Sequence, residues 1–213
     1  MIYIPLIVPS ALGAALMMNN LSQASNAKGA VREVVKHRET LIMSLLHIGT
    51  FGSFIGFSFA FGQVLLVQFP EQFPTPVKAA ALTFIGPLLG SLIRPVGGAL
   101  ADRYRGSVVT FYNFMVMALG AIVVLVAAQM KSLSLYLVGL VVLFVTSRIG
   151  NGSTYKMIPA IFAAKGQKEV GSGGEVSMAT FLSTRRAGAL IGLAGAIGRS
   201  AGCSSTWRSG SPT

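Results

Sequence analysis

Three basic residues stand inside long apolar stretches of the chain: Arg94, Arg148 and Lys156. A charged side chain near the centre of a bilayer costs about 2.5–3.5 kcal/mol on insertion scales, so such charges are functional by default. All six acidic residues fall in predicted loops or at helix ends, which leaves the three cations without a carboxylate inside the predicted spans. We therefore expect either an anion-binding site or pairing with a carboxylate elsewhere in an assembly.

Arg94 is the main candidate for an anion ligand. It precedes Asp102 by eight residues, roughly 12 Å of helix, which places it near the midplane of its span. The flat guanidinium fork donates two parallel hydrogen bonds to a small planar oxyanion. Lys156 is about 13 Å from its helix end, and either snorkels or lines an inner vestibule. Arg148 is less easily placed, with a second anion ligand as one interpretation.

Glycine and aromatic residues alternate around Phe51, and Gly150, Asn151 and Gly152 form a second small-residue group. Small residues let membrane helices approach closely, which by itself explains such glycines. The alternative is that the aromatic face lines a pathway and sandwiches a flat solute, with Asn151 as a neutral donor. His47 admits two interpretations as well, a hydrogen-bonded packing residue or a proton carrier.

The composition indicates which elements position these residues. Of 213 residues, 53% are hydrophobic and 11% are charged, whereas an average soluble domain is about 25% charged. A soluble enzyme, a disulfide scaffold and a disordered chain are thereby excluded, and the single Cys203 excludes an internal disulfide. The net charge of +11 does not indicate nucleic-acid binding, because the basic residues sit mostly in short loops. We expect an all-α protein in a lipid bilayer, without a metal site or cofactor.

The apolar runs predict about five to six transmembrane helices. Between them, segments 19–40, 102–107 and 165–186 carry ten basic residues, against two in segments 68–78 and 129–132. By the positive-inside rule the first three segments are cytoplasmic. The chain then divides into a membrane helix, a cytoplasmic linker, a transmembrane bundle and a polar tail, at 1–18, 19–40, 41–198 and 199–213. The six apolar segments are roughly 1–18, 41–67, 79–101, 108–128, 133–164 and 187–198.

Several of these motifs together resemble one known family. Three segments look like helices of nitrate/nitrite porters of the NarK type, in the major facilitator superfamily. They are the run from Phe51 to Phe57, the run Gly97–Arg103 with Arg94 before it, and the run from Gly150 to Ile158. The segment from Gly188 to Gly198 resembles the start of a glycine-rich nitrate signature. The resemblance covers about residues 1–198 and implies a partial major-facilitator helix bundle, the C-terminal half of such a porter.

The resemblance also implies roles for particular residues. Arg94 matches the substrate-binding arginine of that half, and Phe51 matches an aromatic residue that packs on the anion. Gly150, Asn151 and Gly152 would shape the pathway, and His47 stands where some relatives carry a tyrosine. The signature loop of the superfamily corresponds to Gly98, Asp102 and Arg103, and the nitrate-signature glycines correspond to Gly188, Gly192, Gly195 and Gly198.

The chain departs from the family pattern in further ways. The N-terminal six-helix half, which would bring a partner arginine, is absent. Arg148 falls where a small residue is expected, and an extra cation there would disturb helix packing or trap the anion. After Gly198 the apolar pattern gives way to a polar tail. This tail is typical of translation in a shifted reading frame, and a natural soluble tail is the alternative.

We accordingly predict a non-enzymatic membrane protein for transport of nitrate or nitrite, by proton symport or nitrate/nitrite exchange. Its partners would be the anion, the bilayer of the inner or plasma membrane and an N-terminal half. One alternative is a non-transporting fragment, or a split half that needs a separate partner. A weaker alternative is a facilitator for another small anion, such as a carboxylate.

Overall fold

The computed structural model describes residues 4–17 and 29–209. These residues form helices and connecting turns, without a strand among them. The expected all-α fold class is therefore confirmed. The helices are α1 Ile4–Met17, α2 Ala30–Val35, α3 Arg38–His47, α4 Ser53–Gln68, α5 Pro76–Thr83, α6 Ile85–Tyr104, α7 Gly106–Gln129, α8 Leu133–Gly171 and α9 Val176–Ser209.

Four stretches of the described chain are long and apolar enough to cross a membrane: Arg38–Gln68, Pro76–Tyr104, Gly106–Gln129 and Leu133–Gly171. They coincide with the four middle apolar segments predicted from the sequence. Helix α1 contains a shorter apolar stretch, Ile7–Met17. The chain is a multi-pass membrane protein built as a partial helix bundle.

The segment 19–40, which the sequence predicts to be a cytoplasmic linker, contains the short helix α2. Residues 18–28 of that linker lie outside the described part of the chain. The linker ends earlier than expected, because α3 begins at Arg38.

Two predicted loops are largely helical, which corrects the boundaries drawn from hydropathy. The loop expected at 102–107 is reduced to Arg105, whose φ of 66° reverses the chain between α6 and α7. In the segment 165–186, helix α8 continues to Gly171 and α9 begins at Val176. Hydropathy marks only the part of a helix that is apolar, whereas the backbone hydrogen bonds continue into polar turns.

The last apolar segment, expected at 187–198, is likewise only the middle of a longer helix. Helix α9 runs from Val176 to Ser209 and so enters the stretch predicted as a polar tail. Residues 210–213 lie outside the described residues. The frameshift interpretation of the tail remains a prediction.

Two apolar clusters form the ends of the bundle. One lies among α4, α5, α7 and α8 and includes Phe54, Phe61, Leu65 and Phe144. The other joins α2, α3, α8 and α9. Along α8 the two clusters are separated by the segment Thr146–Thr154, where Ser147, Asn151, Ser153 and Thr154 are fully buried. The interior is therefore layered, with a polar layer between two apolar ends.

Candidate functional site

A π-helical turn places two of the predicted site residues. The turn Ile48–Gly52 interrupts the α-helical pattern between α3 and α4. His47 immediately precedes it and Phe51 lies within it. A π turn inserts an extra residue, which shifts the side chains that follow, and such turns are frequent at functional sites. The sequence analysis did not predict it, although the closely spaced Gly49 and Gly52 are compatible with a locally widened helix.

Helices α6 and α8 run side by side in a constant register. Gly86 packs on Phe144 and Gly90 on Arg148, and Gly152 packs on the carbonyl of Arg94. Each contact lies four residues after the previous one on both helices, so the pairs follow one helical face. Because the glycines lack side chains, the two backbones approach closely at this face.

Arg94 lies in the polar layer, where its guanidinium faces the ring of Tyr155. Its Cζ is 4.8 Å from the ring centroid, within the range of a cation–π contact. The Arg94 side chain is exposed on the surface of the bundle. Helix α6 continues for ten residues beyond Arg94, about 15 Å, so the expected position near the midplane of its span agrees with the helix bounds. Tyr155 was not singled out from the sequence.

Arg148 lies opposite Gly90 of α6 and contacts aromatic rings of α4 and the π turn. Its Cζ is 3.3 Å from the ring centroid of Phe54 and 5.5 Å from that of Phe51. Its Nε is buried and has no hydrogen-bond partner among the described residues. Arg148 is only partly buried, and Gly90 provides the space for its stem. The expected disturbance of helix packing is therefore avoided by a glycine on α6.

The two arginines form one cationic site. Within the described chain, neither guanidinium takes part in an ion pair. Arg94 aligns with Gly152, four residues after Arg148, so the two backbones are offset by one turn, about 6 Å. Two like charges on neighbouring helices repel each other, and an anion bound near both would offset that repulsion.

His47 is fully buried at the junction of α3, α8 and α9. Its ring centroid lies 4.7 Å from that of Tyr155 and 5.7 Å from that of Phe51. Its Nε2 is 3.4 Å from Nδ2 of Asn151. An amide nitrogen donates, so Nε2 accepts and the imidazole is neutral in this arrangement. The geometry favours the packing interpretation of His47 over the proton-carrier interpretation.

The structure brings Gly150, Asn151 and Gly152 into the site as packing residues. Gly150 contacts Asn113 of α7 and Thr50 of the π turn, and Gly152 contacts the backbone of α6. Asn151 is fully buried, and its Oδ1 has no partner among the described residues. These contacts favour the interpretation in which the small residues allow close helix packing.

The predicted signature residues lie at the end of α6. Asp102 forms an ion pair with Lys156 of α8, with 3.0 Å between Oδ2 and Nζ. This pair corrects the expectation that all three cations lack a carboxylate, because the lysine stem carries the ammonium group towards the helix end, where Asp102 lies. Gly98 lies beside the stem of Lys156, and Arg103 stacks on Tyr104, with Cζ 5.4 Å from the ring centroid.

The four nitrate-signature glycines on α9 differ in their surroundings. A Cβ placed at Gly188 or Gly192 would meet nothing within 4 Å. At Gly195 it would lie 3.4 Å from the Tyr155 hydroxyl, and at Gly198 it would lie 3.2 Å from His47 and 3.3 Å from Phe51. Two of the four glycines therefore contact the site, and α9 covers one side of His47.

The arrangement is suited to binding a small anion. It presents two guanidinium groups, aromatic rings and neutral amide groups inside a membrane-spanning bundle. In the described ranges 4–17 and 29–209, no group of three or more histidine, cysteine or acidic residues could hold a metal ion. The chemistry of the donor set is electrostatic binding through N–H groups.

No family model matches the chain, but it is similar to several curated proteins. It is 35% identical to the nitrate/nitrite transporter NarU of Salmonella typhimurium over an alignment of 164 residues. This alignment covers 76% of this chain and 34% of the relative. The NarU protein of Escherichia coli is 33% identical with the same coverage. The probable nitrate/nitrite antiporter NarK2 of Thermus thermophilus is 32% identical over 75% of this chain and 36% of its own length.

The fold and the site define a polytopic helical membrane protein with two arginines on neighbouring membrane-spanning helices. Its similarities confirm the resemblance predicted from the sequence: the chain is a homologue of the nitrate/nitrite porters of the major facilitator superfamily. The chain spans about a third of the length of these curated relatives, which fits a C-terminal half.

Proposed function

We propose that this chain is the C-terminal, anion-binding portion of a nitrate/nitrite porter and that Arg94 is its principal substrate ligand. The observation that carries the proposal is the placement of Arg94, an exposed guanidinium in a membrane-spanning helix that has no ion-pair partner among the described residues. A cation is stable at such depth only when something compensates its charge. A bound nitrate or nitrite provides that compensation.

Each neighbouring group has a simple role in this proposal. The fork of Arg94 donates two hydrogen bonds to the oxygens of the anion. Tyr155 holds the guanidinium from one face, and Phe51 presents a ring to the anion, whose negative charge is favoured at a ring edge. Gly150, Asn151 and Gly152 set the spacing of the helices. The protein binds and moves its substrate and performs no covalent chemistry.

The proposed assembly contains an N-terminal six-helix half opposite the exposed face of Arg94. The two halves would rock about the central site and expose it to alternate sides of the inner or plasma membrane. Both proton symport and nitrate/nitrite exchange are compatible with this arrangement. The relatives named above are described as transporters and as an antiporter.

Nitrate uptake in cells that lack their own nitrate porters tests the proposal. The chain is expressed alone and with a matching N-terminal half, each time also as Arg94→Ala and as Arg32→Ala. Arg32 is the matched control, since it is an exposed arginine of α2 outside the site. We expect uptake in the presence of the N-terminal half, its loss in Arg94→Ala and its retention in Arg32→Ala.

The other outcomes separate the alternatives. Uptake by the chain alone that depends on Arg94 would identify a minimal porter. Absence of uptake in both settings, with the protein shown to be in the membrane, would contradict the transport proposal and favour a non-transporting fragment. Transport that formate or acetate inhibits more strongly than nitrate would favour a facilitator for small carboxylates.

A further inference from the structure

We infer that Arg148 is a further guanidinium ligand of the anion bound by Arg94, supplied by the same half of the protein. This inference rests on the proposed function, since it assigns a further ligand to the same site. It concerns a small planar oxyanion, nitrate or nitrite, held between α6 and α8.

The first support is the register of the two helices. Gly90 faces the stem of Arg148, and Gly152 faces the backbone carbonyl of Arg94, so each arginine lies opposite a glycine of the other helix. The two residues are one helical turn apart along the interface. Their guanidinium groups also contact rings that share a neighbour. Arg94 contacts Tyr155 and Arg148 contacts Phe51, and the ring of His47 lies 4.7 Å from that of Tyr155 and 5.7 Å from that of Phe51, between centroids.

The second support is the state of the Arg148 guanidinium. The ring of Phe54 covers one face of the group, with 3.3 Å between Cζ and the ring centroid. A ring on the face fixes the plane of the guanidinium and leaves its N–H donors, which lie in the plane, available. The Nε is buried without a partner among the described residues. A buried donor without a partner is costly, and an anion in that plane would satisfy it.

The third support is the composition of the surroundings. Around the two arginines the described side chains are aromatic or neutral: Phe51, Phe54, Asn151 and Tyr155 are the main ones, together with the neutral His47. The nearest ion pair on this interface, between Asp102 and Lys156, is satisfied within itself and lies two turns beyond Arg94. Neither cation has a carboxylate partner among the described residues, so an anion from outside the chain would neutralise both.

The test measures nitrate binding by isothermal titration calorimetry. The full chain is reconstituted in lipid nanodiscs, alone and with the N-terminal half of a relative. The variants are Arg148→Gln, Arg148→Lys and Arg94→Gln, with Arg32→Gln as the control that removes one arginine elsewhere. We expect Arg148→Gln to weaken nitrate binding about tenfold or more, as for loss of a charge-assisted hydrogen bond. Arg148→Lys keeps the charge but loses the fork, so it recovers the affinity only in part.

The results of this titration distinguish the inference from the function on which it rests. If Arg148→Gln leaves the nitrate affinity unchanged while Arg94→Gln abolishes binding, the inference is overturned and the proposed function stays intact. Absence of nitrate and nitrite binding by the unsubstituted chain in both settings would overturn both.

A measurement on the unsubstituted chain covers the case in which Arg148→Gln does not fold. Phenylglyoxal modifies accessible guanidinium groups, and peptide mass spectrometry identifies which ones react. We expect nitrate to protect both Arg94 and Arg148 but not Arg32. If nitrate protects Arg94 but Arg148 is modified equally with and without nitrate, Arg148 is only a packing cation on Phe54 and the inference is wrong.

Discussion

The chemistry of this protein at the scale of single residues depends on which charges find a partner inside the chain. Lys156 reaches Asp102 at the end of α6 and forms an ion pair. Arg94 and Arg148 contact aromatic rings and form no ion pair within the described residues. The difference follows from depth, because a lysine stem can carry its charge towards the helix end, whereas the arginines are held by the rings that they contact.

His47 gives a prediction at this scale. In the structure it is a buried neutral acceptor for Asn151, so we expect His47→Gln, which retains a polar group of similar size, to keep the pH profile of nitrate uptake. His47→Ala should instead destabilise the protein by about 2–4 kcal/mol, as for a large-to-small change in a packed interior. Uptake between pH 5.5 and 8 and thermal unfolding in detergent are the two measurements. A flattened pH profile in His47→Gln would restore the proton-carrier interpretation.

At the scale of elements, the contact between α6 and α8 determines the geometry of the site. A Cβ at Gly97 or Gly152 would collide with backbone atoms of the opposite helix. Backbone atoms cannot move aside as the end of a flexible side chain can, so these two glycines set the distance between the helices. The same distance sets how far the arginines lie from each other.

Gly152→Ala should therefore be strongly destabilising. The added methyl group meets the Arg94 carbonyl and lies 3.0 Å from the Gly98 nitrogen, so we expect a loss of about 3 kcal/mol or more, at or beyond the upper end for overpacking. Gly171→Ala is the matched control in the same helix, because its Cβ would meet nothing within 4 Å. Fluorescence-detected size exclusion after a temperature series compares the two, and equal melting of both variants would contradict the close contact.

An ionic contact joins α2 and α8 to α9 at the end of the bundle that the positive-inside rule predicts to be cytoplasmic. Nε of Arg186 lies 2.7 Å from the Glu33 carboxylate, and its Nη1 lies 3.0 Å from Glu169. The hydrogen bond from Arg186 holds the pKa of Glu33 below its ordinary value. A lowered carboxyl pKa means that the contact contributes its full stability above the pKa of the unfolded chain and loses it as the pH falls through the folded value.

We expect Glu33→Gln to lower the stability near pH 7 by less than about 1 kcal/mol, since the pair is partly exposed. The difference between this variant and the unsubstituted chain should vanish as the pH falls through the lowered pKa of Glu33, because the protonated carboxyl no longer forms the ion pair. Thermal unfolding at a series of pH values measures both curves, with Glu71→Gln, which alters an exposed carboxylate in the loop between α4 and α5, as the control. Curves that remain parallel at every acidic pH at which the chain stays folded would contradict the contact.

At the scale of the whole molecule, the layered interior explains how a bundle with few charges holds two arginines. Two apolar clusters enclose a layer of buried polar residues that includes His47, Thr50, Asn113 and Asn151. Some of these groups bond locally, as Thr50 does to the Leu46 carbonyl at 2.9 Å, whereas Asn151 bonds to His47 of another helix. The layer therefore places polar groups beside the site, between two apolar clusters.

The positive-inside distribution predicts the orientation of this bundle. A chain with Cys203→Ser is free of cysteine, so single cysteines can be introduced at Gln72, between α4 and α5, and at Ser172, between α8 and α9. We expect a membrane-impermeant maleimide to label the cysteine at position 72 in intact cells and the one at position 172 only after lysis. The reverse pattern would invert the topology and place the Glu33–Arg186 contact outside.

The sequence by itself determined the fold class, the four long spans and the candidate cations, because hydropathy and charge are sums over local residues. It also carried the similarity to nitrate/nitrite porters. Helix ends were placed less well: the loop expected at 102–107 is a single residue, and α9 extends beyond its apolar centre on both sides. Local hydropathy does not report backbone hydrogen bonds that continue outside the apolar layer.

Only the tertiary structure decided which residues meet. The pairing of Lys156 with Asp102, the stacking of Arg148 on Phe54, and the contact of Arg94 with Tyr155 all join residues of different helices. They depend on the register of α6 against α8 and on the π turn after His47. The register arises from close packing at particular glycines, and glycine spacing alone does not specify which helix will lie against which. For that reason the candidate cations could be predicted from the sequence, whereas their contact partners depended on the arrangement of the helices.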